Sequence, residues 1–237
     1  MKKILIGAVV VIVAAVAIAH WYFSDRGRFT TAPQYTELGR EVDGNVIRST
    51  YDPPVMLTFA DEFGFVGGQQ FILYGVADTE QYFFVEADEQ NQLRSVYWVQ
   101  FEAYLPEKNY SYNYDDSPLR VQLGEYEFFT DTEFFEFDPD KKRRRGTDGA
   151  MARQLLAQHG FSWPRQVAYA RMVYLTDDAR NKELMIIFMD DLSRYGVTAD
   201  QIGADGPASA RRPQIEQALL QRIQETLKAV PLPTDSP

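Results

Sequence analysis

Residues 69–105 restrict the fold of this chain more than any other stretch. Runs rich in Phe, Tyr, Val and Ile occupy 69–76, 81–87 and 93–105. Ala77-Asp78-Thr79-Glu80 separates the first two, and Asp88-Glu89-Gln90-Asn91-Gln92 separates the next two. Short polar connections between such runs predict three consecutive strands of an antiparallel meander. In the third run Leu93, Ser95, Tyr97, Val99, Phe101, Ala103 and Leu105 alternate with Arg94, Val96, Trp98, Gln100, Glu102 and Tyr104. The odd set is core material, and the even set suits a part-wet face with amphipathic aromatics. Val96 and Trp98 make that even face too apolar to stand open, so a covering helix or loop is expected over it.

The remaining chain is expected to extend or cover this sheet. Further strands are predicted at 46–51, 55–60, 119–123, 125–130, 166–176 and 183–189. The run 184–189 is apolar on both faces and should be a central strand. Residues 61–68 contain Gly64, Gly67 and Gly68 and read as a turn or bulge. They are not a phosphate loop, because no Gly-Lys-Ser/Thr follows and no helix is expected after them. Two helices come late. One has Thr147 as N-cap and Gly160 just past its end. The other has Pro213 at its first position, with Ile215, Leu219, Ile223 and Leu227 in one stripe. Residues 190–207 read as a loop. The fold class is therefore α+β: a curved antiparallel meander sheet of seven to nine strands packed on a C-terminal amphipathic helix, with an N-terminal membrane helix. A partly closed barrel is the alternative.

The N-terminus begins Met1-Lys2-Lys3 and continues through twenty residues, Ile4 to Phe23, without Asp, Glu, Lys or Arg. At ~1.5 Å per residue that length just spans a ~30 Å hydrocarbon core. Trp21 and Tyr22 suit the interface at its far end. Ala17-Ile18-Ala19 also fits a cleavage site, although no polar segment precedes it. A signal anchor is the favoured reading, with the membrane as partner through residues 4–23. The folded domain is expected on the extracytoplasmic side, and secreted or periplasmic if the signal is cut after Ala19. Residues 1–24 are then the anchor or signal, 25–45 a stalk or irregular lead-in, 46–230 a single domain and 231–237 a tail.

The chain carries a formal net charge of −10, which disfavours nucleic acid as a partner. It has no cysteine, so disulfides, thiol catalysis and thiolate metal sites are excluded. No cofactor, no catalytic residue and no metal ligand set is assigned. His159 lies near a helix C-terminus, where the dipole gives it a structural reason. Asp115-Asp116, Asp177-Asp178 and Asp190-Asp191 fall at expected turns. Two surface candidates remain. Trp98, Tyr104, Tyr110, Tyr112 and Tyr114 cluster in one strand and its following loop and could line a site for an apolar ligand. Lys141, Lys142, Arg143, Arg144 and Arg145 could dock on an anionic partner, although five acids between Asp131 and Asp140 damp their field. The expected function is a membrane-tethered extracytoplasmic domain with a non-catalytic binding or structural role. A binder or carrier of an apolar small molecule or lipid is the alternative, and a carboxylate-dependent hydrolase is the third reading.

Overall fold

In the computed structural model, residues 2–23, 34–35, 38–141 and 146–232 are described. The chain opens with helix α1 (Lys2–Phe23) and the two-residue strand β1 (Gln34–Tyr35). Then come β2 (Glu41–Asp43), β3 (Val46–Ser49), β4 (Val55–Phe59), β5 (Gly64–Leu73), β6 (Ala77–Ala87) and β7 (Leu93–Tyr104). A long connection leads to β8 (Leu119–Leu123) and β9 (Tyr126–Glu136), then to helix α2 (Asp148–Gln158). Strands β10 (Gln166–Leu175) and β11 (Lys182–Asp191) follow, then a one-turn helix α3 (Ala199–Ile202), helix α4 (Arg212–Thr226) and β12 (Leu227–Pro231).

These strands form two antiparallel sheets. The large one runs β5-β6-β7-β11-β10-β9-β8, with the short β1 outside β5. The small one runs β12-β4-β3-β2. The fold is α+β, as the strand-then-helix pattern implied. It departs from the single curved sheet in three ways. The strands are more numerous than the seven to nine expected. They divide between two sheets, and neither sheet closes into a barrel. The small sheet escapes a sequential reading because β12 pairs with β4 from the far end of the chain, Leu227 lying opposite Phe59. Leu227 continues the spacing of the α4 stripe, but the helix ends at Thr226 and Leu227 turns into the strand. Glu41–Asp43, expected as irregular lead-in, is the outer strand of the small sheet.

Two apolar layers result, one on each face of the large sheet. The first holds Tyr97, Val99, Phe101, Ile186 and Phe188 against Leu57 and Phe59 of the small sheet and Ile215, Leu219 and Ile223 of α4. Tyr97 sits at its centre, with ring centroids 4.5 Å from Phe188, 4.8 Å from Phe63 and 5.1 Å from Phe59. Its hydroxyl lies 2.7 Å from Thr226 Oγ1. Thr226 spends its own proton on the Arg222 carbonyl, 2.7 Å away, so Tyr97 is the donor of the pair. The second layer lies on the even-numbered face of β7. Val96 and Trp98 pack there with Phe83, Ile187 and the Ala152, Leu155 and Leu156 face of α2. The even face is thus covered, as its apolar content demanded. Strand β11, between β7 and β10, is buried on both sides over residues 183–188.

The first hairpin turn also falls elsewhere than expected. Ala77-Asp78-Thr79-Glu80 belongs to β6, and the turn is Tyr74-Gly75, both with positive φ (52° and 70°). Leu73 pairs with Ala77, so the loop is Tyr74-Gly75-Val76; the Val76 amide closes the turn on the Leu73 carbonyl (3.0 Å), and the two central residues of that turn are left-handed. The polar run looked like a loop because its partners are remote. Glu80 is buried in a salt bridge to Arg40 (3.1 Å), whose guanidinium lies between the rings of Tyr51 and Phe101. Residues 64–68 are strand with a register shift between Phe65 and Gly67, the bulge that the glycines suggested.

Helix α1 is continuous from Lys2 to Phe23. Its described side chains, at Gly7 and residues 10–21, are exposed. Among the described residues, no helix is long and apolar enough to cross a membrane.

Candidate functional site

The even face of β7 carries a polar row at the end away from Trp98. Gln69 Nε2 donates to Gln81 Oε1 (2.7 Å), and Gln81 Nε2 donates to Gln100 Oε1 (2.9 Å). Gln100 Oε1 also accepts from Trp98 Nε1 (3.2 Å), and Gln100 Nε2 donates to Glu102 Oε2 (2.7 Å). Three strands thus pass hydrogen bonds in one direction towards a carboxylate. Gln81 additionally donates to the Asp148 carbonyl (3.2 Å), which pins the first turn of α2 to the sheet. Thr147 caps that turn by accepting from the Ala150 amide, as its sequence position implied.

Glu102 meets a second acid. The β7–β11 register sets Glu183 directly opposite it, on the same face. Directly opposed residues carry Cβ atoms about 4.5–5.5 Å apart. Both are buried, at 8% and 2% exposure. Two residues of the loop at 105–118 close over them: Tyr112 donates to Glu102 Oε1 (2.7 Å) and Tyr114 donates to Glu183 Oε2 (2.8 Å). Burial, the largest effect, pushes Glu102 up to about 7 and Glu183 up to about 8. Each raises the cost of charging the other, so the two titrate as a pair. Glu102, with donors on both oxygens, is built to hold the negative charge. Glu183, with one donor, is built to hold the proton.

The tyrosines expected to line a ligand site instead form this cover. Tyr104 and Tyr112 stack at 4.4 Å, Tyr110 meets Tyr104 edge-on at 5.4 Å, and Tyr114 continues the stack at 6.3 Å from Tyr112. Tyr110 is the outermost and is exposed. Trp98 is not part of the stack and joins it only through Gln100 and Glu102. It lies in a different place, on the wall of a recess of about 190 Å³ between α2 and the outer strands. Phe135, Phe137, Trp163, Tyr169 and Met189 complete that wall, with Asp148 and Arg153 at the helix side. Phe137 and Trp163 stack at 5.3 Å and also border a neighbouring groove of about 550 Å³ with Glu136, Asp138 and Arg165. The expected ligand set therefore divides: Trp98 faces a recess, while Tyr104, Tyr110, Tyr112 and Tyr114 roof a carboxylate pair.

Of the basic run, Lys141 is exposed, and Lys142, Arg143, Arg144 and Arg145 lie outside the described residues. His159 caps α2, its Nδ1 lying 3.0 Å from the Leu155 carbonyl. Asp177 accepts from the Asn181 amide and Asp191 from the Ser193 amide, turn roles of the expected kind. Asp190 is different. It is buried between Ser95, Tyr195 and Arg194, in a network where Arg222 of α4 donates to Glu86 (2.7 Å). That network ties α4 to the large sheet. Among the described residues, no group of three His, Asp or Glu side chains is placed to hold a metal ion.

Sequence reading missed Glu102 and Glu183 as a pair because they are 81 positions apart and meet only through register. One signal was available: Glu183 directly precedes the unbroken apolar run 184–189, in a strand expected to be covered on both faces, where an acid is seldom buried without a partner. Glycosidase-type chemistry requires a substrate between two carboxyl groups. Here the strap of tyrosines occupies that position. Comparison with protein families, curated proteins and solved structures finds no match to this chain.

Proposed function

We propose that this chain is a membrane-tethered extracytoplasmic domain with a non-catalytic binding role, and that it binds an apolar small molecule or lipid moiety in the recess walled by Trp98 and Trp163. The recess carries the reading. It is a concave recess of about 190 Å³, open on one side and walled mainly by aromatic and aliphatic side chains with Asp148 and Arg153 at one edge, the make-up of a small-molecule site. An apolar cavity of about 150 Å³ holds a benzene-sized guest, so one ring or a short branched chain fits here. The adjoining groove gives room for a longer or more polar remainder. The tether rests on the twenty-residue stretch from Ile4 to Phe23, on the flanking Lys2 and Lys3, and on its helical backbone.

Two measurements test the proposal. The full chain with a reporter after Pro237 should fractionate with membranes and expose the reporter outside the cytoplasm; a soluble cytoplasmic pool of the whole chain would end the tether reading. For the recess, the detergent-extracted full chain carrying Trp21→Phe is titrated with a bromophenol, whose bromine quenches indoles it touches. Quenching should saturate, and Trp163→Ala should weaken binding by about tenfold, as loss of one aromatic wall does. Linear, non-saturating quenching in both proteins would remove the recess as a binding site.

A further inference from the structure

The connection from β7 to β8, residues 105–118, contains no helix or strand yet is held at many points. The Tyr112 amide donates to the Arg180 carbonyl (2.7 Å), Asp115 pairs with Arg180 (2.9 Å), and Ser117 Oγ donates to Asp131 Oδ2 (3.1 Å). The two side-chain pairs among these are exposed or half-buried. Its two inner anchors, Tyr112 and Tyr114, both end on the buried acids Glu102 and Glu183. Among the described residues, the side chains that fasten the strap to buried groups end on two neighbouring carboxyl groups, so their hold depends on the charge those groups carry.

We propose that Glu102 and Glu183 form a proton-holding latch: with at least one proton between them they fasten the strap at 105–118 onto the sheet, and loss of the last proton releases it. The closed state has Glu183 neutral, with Glu102 neutral at acid pH and ionising first as pH rises, each accepting from its tyrosine. Deprotonation of Glu183 sends the proton to solvent and leaves two like charges on opposed residues of adjacent strands, where water is excluded. The cheapest relief is to lift the strap and hydrate the pair, since the strands beneath are fastened by their full ladders. From α2, Asp148 adds negative potential and raises both acids. From β10, Arg171 lowers Glu183, but it is engaged by Asp131 of β9 at 2.7 Å. From β7, Tyr104 stays a neutral phenol, its ionisation pushed upward by burial and by the two acids. Burial also pushes the phenols of Tyr112 and Tyr114 upward, so neither ionises first.

The sign follows from linkage. Both acids have folded-state values above the ordinary carboxylate range, so the closed strap has its full stability at acid pH and loses it as pH rises through about 7 to 8. Hydrogen exchange of the full chain in detergent, corrected for intrinsic pH dependence, reads this at pH 6 and pH 9. Amides at 107–117 should exchange about tenfold faster or more at pH 9, while β6 and β7 keep their protection. Glu183→Gln, which still accepts from Tyr114 and cannot ionise, should hold the strap closed at both values. Tyr112→Phe with Tyr114→Phe should open it at both. Corrected strap protection that is equal at pH 6 and pH 9 in the unaltered chain overturns the latch. So does a pH response of the same size in Glu183→Gln. The first of these needs no variant, so a misfolded substitution cannot shelter the idea.

Discussion

Replacing Trp98 by Ala asks whether the even face of β7 is a closed layer of the protein. All but 6% of the Trp98 surface is buried. An indole of about 150–250 Å² buried to that extent, at ~25 cal/mol per Å², corresponds to about 4–6 kcal/mol before the retained Cβ is discounted. The discount gives about 3–5 kcal/mol, the usual range for Trp→Ala in a core. Two features place the cost towards the lower end. The vacated volume would merge with the recess and could take up water, which a dry internal cavity could not. Gln100 Oε1 would lose the indole donor but keep Gln81, so no acceptor is orphaned. About 3–4 kcal/mol is expected, and with a urea slope of about 2–3 kcal/mol per M the midpoint should fall by about 1–2 M. Phe101→Ala, on the opposite face and 2% exposed, provides the comparison and should fall by a similar amount. Far-ultraviolet circular dichroism of the full chain in a mild detergent follows both. A Trp98→Ala midpoint within about 0.3 M of the parent, with Phe101→Ala strongly shifted, would refute the closed layer.

Leu219→Asp should unfold the domain, because it sets an unpaired charge among Ile215, Ile223 and the small sheet at several kcal/mol against a total of ~5–15; Gln221→Asp, on the exposed side of α4, should melt near the parent. Equal melting of the two would mean that α4 does not pack by this stripe. Gly124→Ala should cost about 1–3 kcal/mol in the same urea assay, since Gly124 has φ +59° and a Cβ there would overlap the Ala229 carbonyl oxygen of β12. No loss of stability in that variant would mean that β8 and β12 do not meet at this point.

What the sequence discloses here follows from how far apart the partners are. The β6–β7, β8–β9 and β10–β11 hairpins join strands that are neighbours in the chain, so alternation and turn residues suffice to find them. Leu119–Leu123 and the Thr147 cap fall where expected for the same local reason. The small sheet does not, because β12 is a five-residue strand attached without a break to the helix before it, and its partner lies near the beginning. Glu80 misled for a related reason: an acid at a strand end looks like a turn until Arg40 is seen beside it. The site divides in the same manner. Tyr104 to Tyr114 were recognisable as a cluster because they are close in sequence. Their purpose was not, since Glu102 and Glu183 are two acids among 34 and only the β7–β11 register brings them together.

The pairing of β12 with β4 has a consequence in time. Synthesis delivers β4 early, with β3 already available for one of its edges. Its other edge waits until residues 227–231 arrive, more than 160 positions later. The same delay applies to the stripe of α4, Ile215, Leu219 and Ile223, which joins the same buried layer as Phe63 and Phe188. Throughout that interval the growing chain carries a bare strand edge beside unburied aromatic rings, a surface prone to pair wrongly with other chains. Closing so long a loop costs little more in equilibrium terms than closing a shorter one, but it places the last stabilising contacts at the end of a slow search. The interval of greatest vulnerability for this protein is therefore its own biosynthesis, and it ends with the docking of five residues.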